Sequence, residues 1–275
     1  MNFKRILASV LLAVILCLNL TSCSEFANAF ITEFNKQITE DSLTGEHSTS
    51  AEDVVNEITE NKIRAVVTVK TTFTSINYGW GPTRTAKIQC TGVVISYKGQ
   101  LLVLTNNHAV NYETGYIPSE ITLIDCQGNE MDAEVYTMRG CNASAPEYDL
   151  ACLYVPKLKP DHPAFTLADI NPKINEKVVS ISTPEGQPNA IFFGKVLTYA
   201  KANIVDTDTT VSNVTADVIW HSAKIKQGSS GGALINYNLE LVGINFAGSK
   251  TDDNRFTEGC AVPIEMVREF LEKYV

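Results

Sequence analysis

The sequence has no CxxC pair and no HxxxH spacing, so the commonest frameworks for zinc are missing; no metal and no cofactor is expected. It has no basic run and no interleaving of basic with aromatic residues. With 22 lysines and arginines against 31 acids, the formal charge is −9. An acidic surface repels phosphate backbones, so nucleic acid is not an expected partner. Histidine is scarce: His47, His108, His162 and His221 are the whole set. The apolar run from Ile6 to Leu20 is too short for a membrane-spanning helix, which needs about 20 residues. Behind Lys4 and Arg5 it has the form of a secretory leader. What remains, 44% hydrophobic over 275 residues, is enough for one or two substantial cores.

The leader ends in Leu20-Thr21-Ser22-Cys23, which resembles the lipobox of bacterial lipoproteins. The resemblance implies removal of residues 1–22, lipidation of Cys23 and a membrane-tethered product; the other reading is ordinary cleavage near Ala29. Removing the leader takes away two cations and no acid, which moves the formal charge from −9 to −11. Ser24 is not an aspartate-type inner-membrane retention signal, so the outer membrane is favoured in a cell with two membranes. Five of the seven cysteines lie beyond the anchor. An odd number cannot pair completely. Cys90, Cys152 and Cys260 sit in apolar, strand-like runs and read as core residues, while Cys126 and Cys141 flank a predicted hairpin where pairing stays open.

Residues 23–59 are polar and acidic, as suits a tether. Phe26, Phe30, Phe34 and Ile38 recur every four residues, a helical stripe that suits self-association into a homo-oligomer, contact with the bilayer, or packing on the folded domain. A second helix is expected near Ser50 to Lys62, opened by a capping-box-like Ser50-Ala51-Glu52-Asp53. From residue 60 onward the pattern is short Val/Ile/Thr/Tyr-rich runs with frequent turn signals, an all-β signature. Strands are expected at Ala65–Phe73, Gln89–Ser96, Gln100–Thr105, Glu120–Asp125, Met131–Tyr136 and Ala151–Val155. After a proline-rich connector that includes His162, further strands are expected at Lys177–Ser182, Ala190–Ala200, Thr209–Val214, Ala216–Trp220, Gly232–Asn236 and Glu240–Ala247. Pro263–Tyr274 closes the chain as a helix burying Ile264, Val267, Phe270 and Leu271.

Three segments carry chemistry. Gly228-Ser229-Ser230-Gly231-Gly232 precedes the apolar Ala233-Leu234-Ile235, so a serine sits on a sharply bent turn at the mouth of a buried strand. Gly228 is free to take positive φ and turn its own N–H and that of Ser230 toward one point, an oxyanion hole. Thr105-Asn106-Asn107-His108 follows a buried strand, and Tyr148-Asp149-Leu150-Ala151 opens another. Base, orienting acid and nucleophile are then His108, Asp149 and Ser230.

In that order these segments resemble the trypsin-like serine proteases, in their bacterial HtrA/Deg-type branch, over roughly residues 60–272. Supporting segments are Thr91-Gly92-Val93-Val94-Ile95, Ser182-Thr183-Pro184-Glu185-Gly186, Gly243-Ile244-Asn245 and Cys260-Ala261-Val262-Pro263-Ile264. The resemblance implies two six-stranded antiparallel β-barrels with a short C-terminal helix, divided as first barrel 60–157, linker 158–170, second barrel 171–262 and helix 263–274. It implies endopeptidase action on unfolded or flexible protein, the substrate pairing as an added strand along Asn245-Phe246-Ala247. Two departures stand out. HtrA-type chains usually continue into PDZ domains, and here the chain is read as ending at Val275, directly after the helix; where digestive trypsins carry an aspartate before the nucleophile, this chain has Ser229. Lys224, in the segment before the turn, either lies at the pocket base and favours an acidic side chain or points to solvent beside a pocket for small aliphatic ones. His221 could serve the same pocket or be structural; His47 and His162 have no assigned role. The competing classes are an idle trypsin-fold peptide-binding module or adhesin, and an esterase or acyltransferase using the same triad.

Overall fold

The computed structural model describes residues 51–76, 82–184, 190–202, 212–250 and 256–275. The leader, Cys23, the Phe26–Ile38 stripe and His47 lie outside them. The described residues fall in two units, one up to Asn61 and the other Lys62–Val275. In the first, α1 (Ala51–Glu60) carries Val54, Val55 and Ile58 at helical spacing, and the Thr59 hydroxyl donates to the Val55 carbonyl at 2.9 Å. No helix among the described residues is long and apolar enough to cross a membrane.

The second unit opens with a 3-10 turn, Lys62–Ala65, and then builds a first barrel from β1 (Val66–Ser75), β2 (Thr85–Tyr97), β3 (Gln100–Thr105), β4 (Tyr116–Ile124), β5 (Glu130–Val135) and β9 (Leu150–Tyr154). A small hairpin of β6 (Thr137–Met138) and β7 (Cys141–Asn142), then β8 (Ser144–Ala145), lies between β5 and β9. The antiparallel order β3-β2-β1-β4-β5-β9 is closed by pairing of β3 with β9. Alternation along these strands sends Val69, Phe73, Val94, Val103, Leu123 and Leu153 to one face, the buried barrel core, while Ile95, Leu102 and Leu104 are buried on the other. The closing register matters most: Thr105 lies opposite Ala151. Because the strands run antiparallel, residues just after β3 meet residues just before β9. His108 and Asp149 are those residues.

The second barrel is closed in the order β10 (Lys177–Ser182), β11 (Ala190–Lys201), β12 (Asp217–His221), β15 (Phe256–Pro263), β14 (Leu241–Lys250), β13 (Ala233–Asn236). The expected strand at Thr209–Val214 is not one of the six: residues 212–214 belong to no strand, and 203–211 lie outside the described residues. The Asn213 N–H donates to the Pro146 carbonyl in the first barrel at 2.8 Å, so it is turned away from any sheet neighbour. The sixth strand is β15. The helix α2 (Ile264–Tyr274) follows it directly and buries the four expected apolar residues, with Pro263 extended at its N-cap. No disulfide joins the described cysteines; Cys90, Cys152 and Cys260 are buried.

Candidate active site

Past β3, Asn106 keeps an extended backbone (φ −83°, ψ 156°) and Asn107–Ala109 makes a single 3-10 turn that presents His108. The Asp149 carboxylate grips this turn at two points. Oδ1 accepts from the His108 backbone N–H at 3.1 Å, and Oδ2 accepts from Nδ1 at 2.8 Å. A hydrogen bond from Nδ1 leaves Nε2 as the lone pair that faces outward. The aspartate side chain is 1% exposed and the imidazole 23%. Asp149 has φ +47°, a left-handed conformation tolerated by Asp and Asn, and its carbonyl accepts from the buried Asn106 Nδ2 at 2.8 Å. Burial by itself lowers the His108 pKa. The Asp149 charge and hydrogen bond outweigh it, with smaller help from Cys90, and raise the pKa well above 6.5.

The turn Gly228–Gly232 is fastened to β2 at Thr91, and Thr91 in turn to β3, the strand that leads to His108. The Thr91 N–H donates to the Ser230 carbonyl at 2.7 Å, the Thr91 hydroxyl to the Gly228 carbonyl at 2.8 Å, and the Thr105 hydroxyl to the Thr91 carbonyl at 2.7 Å. Ser229, where an activation-dependent trypsin has aspartate, is buried and tied to Ser182 Oγ at 3.0 Å, while its own Oγ accepts from the Lys226 N–H at 3.0 Å. Gly228 and Gly231 take φ +86° and +83°. The N–H groups of Ser229, Gly231 and Gly232 are bound to Lys226, Asn245 and Ser229 carbonyls. Those of Gly228 and Ser230 donate to no described carbonyl.

A Cβ on Gly231 would stand 1.8 Å from the Thr91 carbonyl oxygen. Gly231→Ala therefore meets both a forbidden contact and a left-handed backbone. It is expected to lower stability by about 3 kcal/mol or more, read from the urea midpoint.

The turn borders a cavity of about 170 Å³ lined by Ile225 to Ser230 and by Asn245, Phe246 and Ala247. Phe246 sits at an irregularity in the register of β14 against β15, where Asn245 opposes Ala261 but Ala247 opposes Cys260. The Ser230 hydroxyl donates to the Phe246 carbonyl at 3.3 Å and makes no hydrogen bond to His108. Lys224 is exposed and outside the lining, so of its two expected placements the structure has the one in solvent. Between the buried Ala223 and Ile225, alternation turns it to solvent. Lys224→Ala should leave cleavage-site preference unchanged within about twofold across peptides varied at the residue before the cut, as for an exposed side chain.

Thr91, Thr105 and Asn106 stand in the quoted motifs, and Ile225 in the segment before the turn, with no role of their own assigned from sequence. Polar residues beside His108 were visible; the long-range partners of Thr91 had no local signal.

Residues 90–244 match the family described as trypsin-like peptidase domain. The chain belongs to this family. It is 31% identical over 186 residues to the periplasmic serine endoprotease DegP of Salmonella typhimurium, covering 67% of this chain and 35% of that one. It is 26% identical over 195 residues to the serine protease PepD of Mycobacterium tuberculosis, covering 67% and 40%. The chain thus spans about a third of the length of the first curated relatives it matches. Among solved structures, the active form of the M. tuberculosis Rv3671c protease superposes with a TM-score of 0.60 at 23% identity, covering 85% of this chain and 94% of that one. The HtrA-type protease AlgW with a decapeptide gives 0.58 at 23%, covering 80% and 67%. These two likenesses speak to the fold.

Proposed function

We propose that this trypsin-like domain is a serine endopeptidase that cleaves unfolded or flexible proteins of the cell envelope or exterior. The observation that carries the reading is the Thr91–Thr105 bracing, which ties the Ser230 turn to the strand presenting the His108–Asp149 pair. Ser230 Oγ adds to the scissile carbonyl as His108 Nε2 takes its proton. Asp149 holds the tautomer and stabilises the imidazolium, and the Gly228 and Ser230 N–H groups receive the oxyanion. His108 then returns the proton to the leaving amine, and water repeats the sequence on the acyl-enzyme. Substrate main chain pairs along Asn245–Ala247, and its side chain before the cut enters the cavity.

The periplasmic location of DegP relatives and the leader support export. We place the product on the envelope through a lipidated Cys23, with residues 23–59 as tether and 60–275 as the protease domain. A homo-oligomer through the Phe26–Ile38 stripe belongs to the same reading.

One observation favours the idle peptide-binding alternative: the Ser230 hydroxyl rests on Phe246 rather than on His108. Incubation with a denatured protein and with a small ester, beside Ser230→Ala, separates the readings. The protease reading expects fragments of the denatured protein only with the parent. Binding without cleavage selects the idle module, and ester turnover alone selects the esterase.

A further inference from the structure

The mechanism leaves a buried histidine unused. His221, the last residue of β12, is fully enclosed, with Nε2 3.0 Å from Asn245 Oδ1 and no hydrogen-bond partner for Nδ1. The amide of Asn245 cannot be turned around: its Nδ2 donates to Ser180 Oγ at 2.9 Å and to the Ala233 carbonyl at 3.4 Å, and a carbonyl only accepts. Oδ1 therefore faces His221, and Nε2 must carry the proton. The backbone of the same asparagine frames the nucleophile turn, its carbonyl accepting from the Gly231 N–H at 2.8 Å and its N–H donating to the Gly232 carbonyl at 2.9 Å. Its neighbour Phe246 holds the Ser230 hydroxyl, and both residues line the cavity. Gly259, opposite His221 in the β12–β15 register, makes the room: a Cβ there would stand 2.2 Å from the imidazole Cε1.

We propose that His221 is a positioning residue: through the Asn245 side chain, its neutral Nε2–H tautomer fixes the backbone that frames the Ser230 turn and the cavity beside it. The inference rests on the protease reading of that site. Protonation would place a charge in a closed space, where the Asn245 amide and the Ala223 backbone offset only part of the cost of burial. Burial accordingly pushes the His221 pKa down to about 4. The groups facing the ring are uncharged: Asn245 from β14, Gly259 from β15 and the Ala223 backbone just past β12, with Ser180 of β10 behind Asn245. The titratable neighbours in register, Glu258 and Cys260 beside Gly259 and exposed Lys195 beside Val196, alternate to the opposite face. The sign follows. An unfolded chain takes up a proton below about pH 6.5 that the folded chain refuses until about pH 4, so this stabilisation is full above 6.5 and is lost between 6.5 and 4 on acidification.

The test uses fluorophosphonate labelling rates at pH 7.5 and melting temperature against pH, on the parent and on His221→Ala, His221→Gln, Gly259→Ala, Asn245→Ala and the His221→Ala/Asn245→Ala pair. We expect His221→Ala and Gly259→Ala to label about 10-fold or more slowly, and His221→Gln, which can return an N–H to Asn245, to stay within about threefold of the parent. The double variant should be no slower than Asn245→Ala, and His221→Gln should lose the parent's fall in melting temperature between pH 6.5 and 4. Parental labelling by His221→Ala, or effects of the two residues that multiply, would overturn the proposal. Should His221→Ala not fold, Gly259→Ala against His221→Gln carries the same contrast. A parent that does not label sinks the protease reading; the positioning inference is then judged on melting temperatures, where additive losses overturn it and non-additive losses support it.

Discussion

Ser230→Ala is expected to lower kcat on a peptide or denatured-protein substrate by about 10⁶-fold while leaving fold and substrate affinity nearly intact. The reasoning is local. The bonds that shape the turn use the backbone of Ser230 and the side chain of its neighbour: the Ser230 carbonyl accepts from Thr91, and Ser229 holds Ser182 and the Lys226 N–H. Removing one hydroxyl breaks only its 3.3 Å bond to Phe246. The lost term is covalent catalysis, because the other hydroxyl in the cavity lining, Ser229, is buried and held by Ser182 and the Lys226 N–H. Steady-state kinetics with matched circular dichroism spectra check this. A residual rate above about one-hundredth of the parent's would mean that another group attacks, against the single-nucleophile loss seen in such triads.

Asp149→Asn is expected to cost about 10⁴-fold in kcat, or roughly 5.5 kcal/mol of transition-state stabilisation, and to move the acid limb of the rate profile. Asparagine is nearly isosteric with aspartate and tolerates the left-handed φ of +47°, and the Asn106 bond to the residue 149 carbonyl does not depend on the side chain. The backbone therefore stays, and the loss is electronic. An amide NH₂ facing Nδ1 favours the tautomer with its proton on Nε2, which is no longer a base. The direction of the pH shift also follows. Burial lowers the His108 pKa, and it is chiefly the Asp149 carboxylate that lifts it well above 6.5. Catalysis needs the neutral imidazole, so the parent should gain activity with rising pH through that raised value and be most active on the alkaline side. In Asp149→Asn the lift is gone and burial remains, so the residual activity should reach its half-point at lower pH than the parent. A kcat/KM profile for both proteins reads the shift; coincident profiles would show that Asp149 does not set the His108 ionisation.

Much of this architecture is legible in the sequence where a physical signal is local. The limits of β3 and β10 match their expected ranges because Gln100–Thr105 and Lys177–Ser182 are apolar runs with polar flanks. The final helix is legible from Pro263 and the spacing of Ile264, Val267, Phe270 and Leu271. The illegible parts depend on partners distant in sequence. Valines near residue 211 read as a strand, yet the Asn213 N–H turns to Pro146, and the sixth strand comes from Phe256–Pro263 instead. Lys224 has the right neighbourhood and the wrong face, since alternation between Ala223 and Ile225 has no register until the chain folds. Thr91 illustrates the same limit at the site. Its hydroxyl accepts from the Thr183 N–H at 3.0 Å and donates to the Gly228 carbonyl, residues 92 and 137 positions away, and nothing in Thr91-Gly92-Val93 announces either bond. The roles of Ser230, His108 and Asp149 were suggested by residue type and order; their bracing was not.

The measurement that bears most directly on the central claim is labelling of the purified protein with a fluorophosphonate probe at pH 7.5, followed by mapping of the modified residue. A serine is activated toward such a probe only where base and oxyanion donors converge on its hydroxyl. The account predicts rapid, stoichiometric modification at Ser230, abolished by Ser230→Ala and strongly slowed by His108→Ala and Asp149→Asn. A folded parent that stays unlabelled, or that carries the probe on another residue, would contradict it.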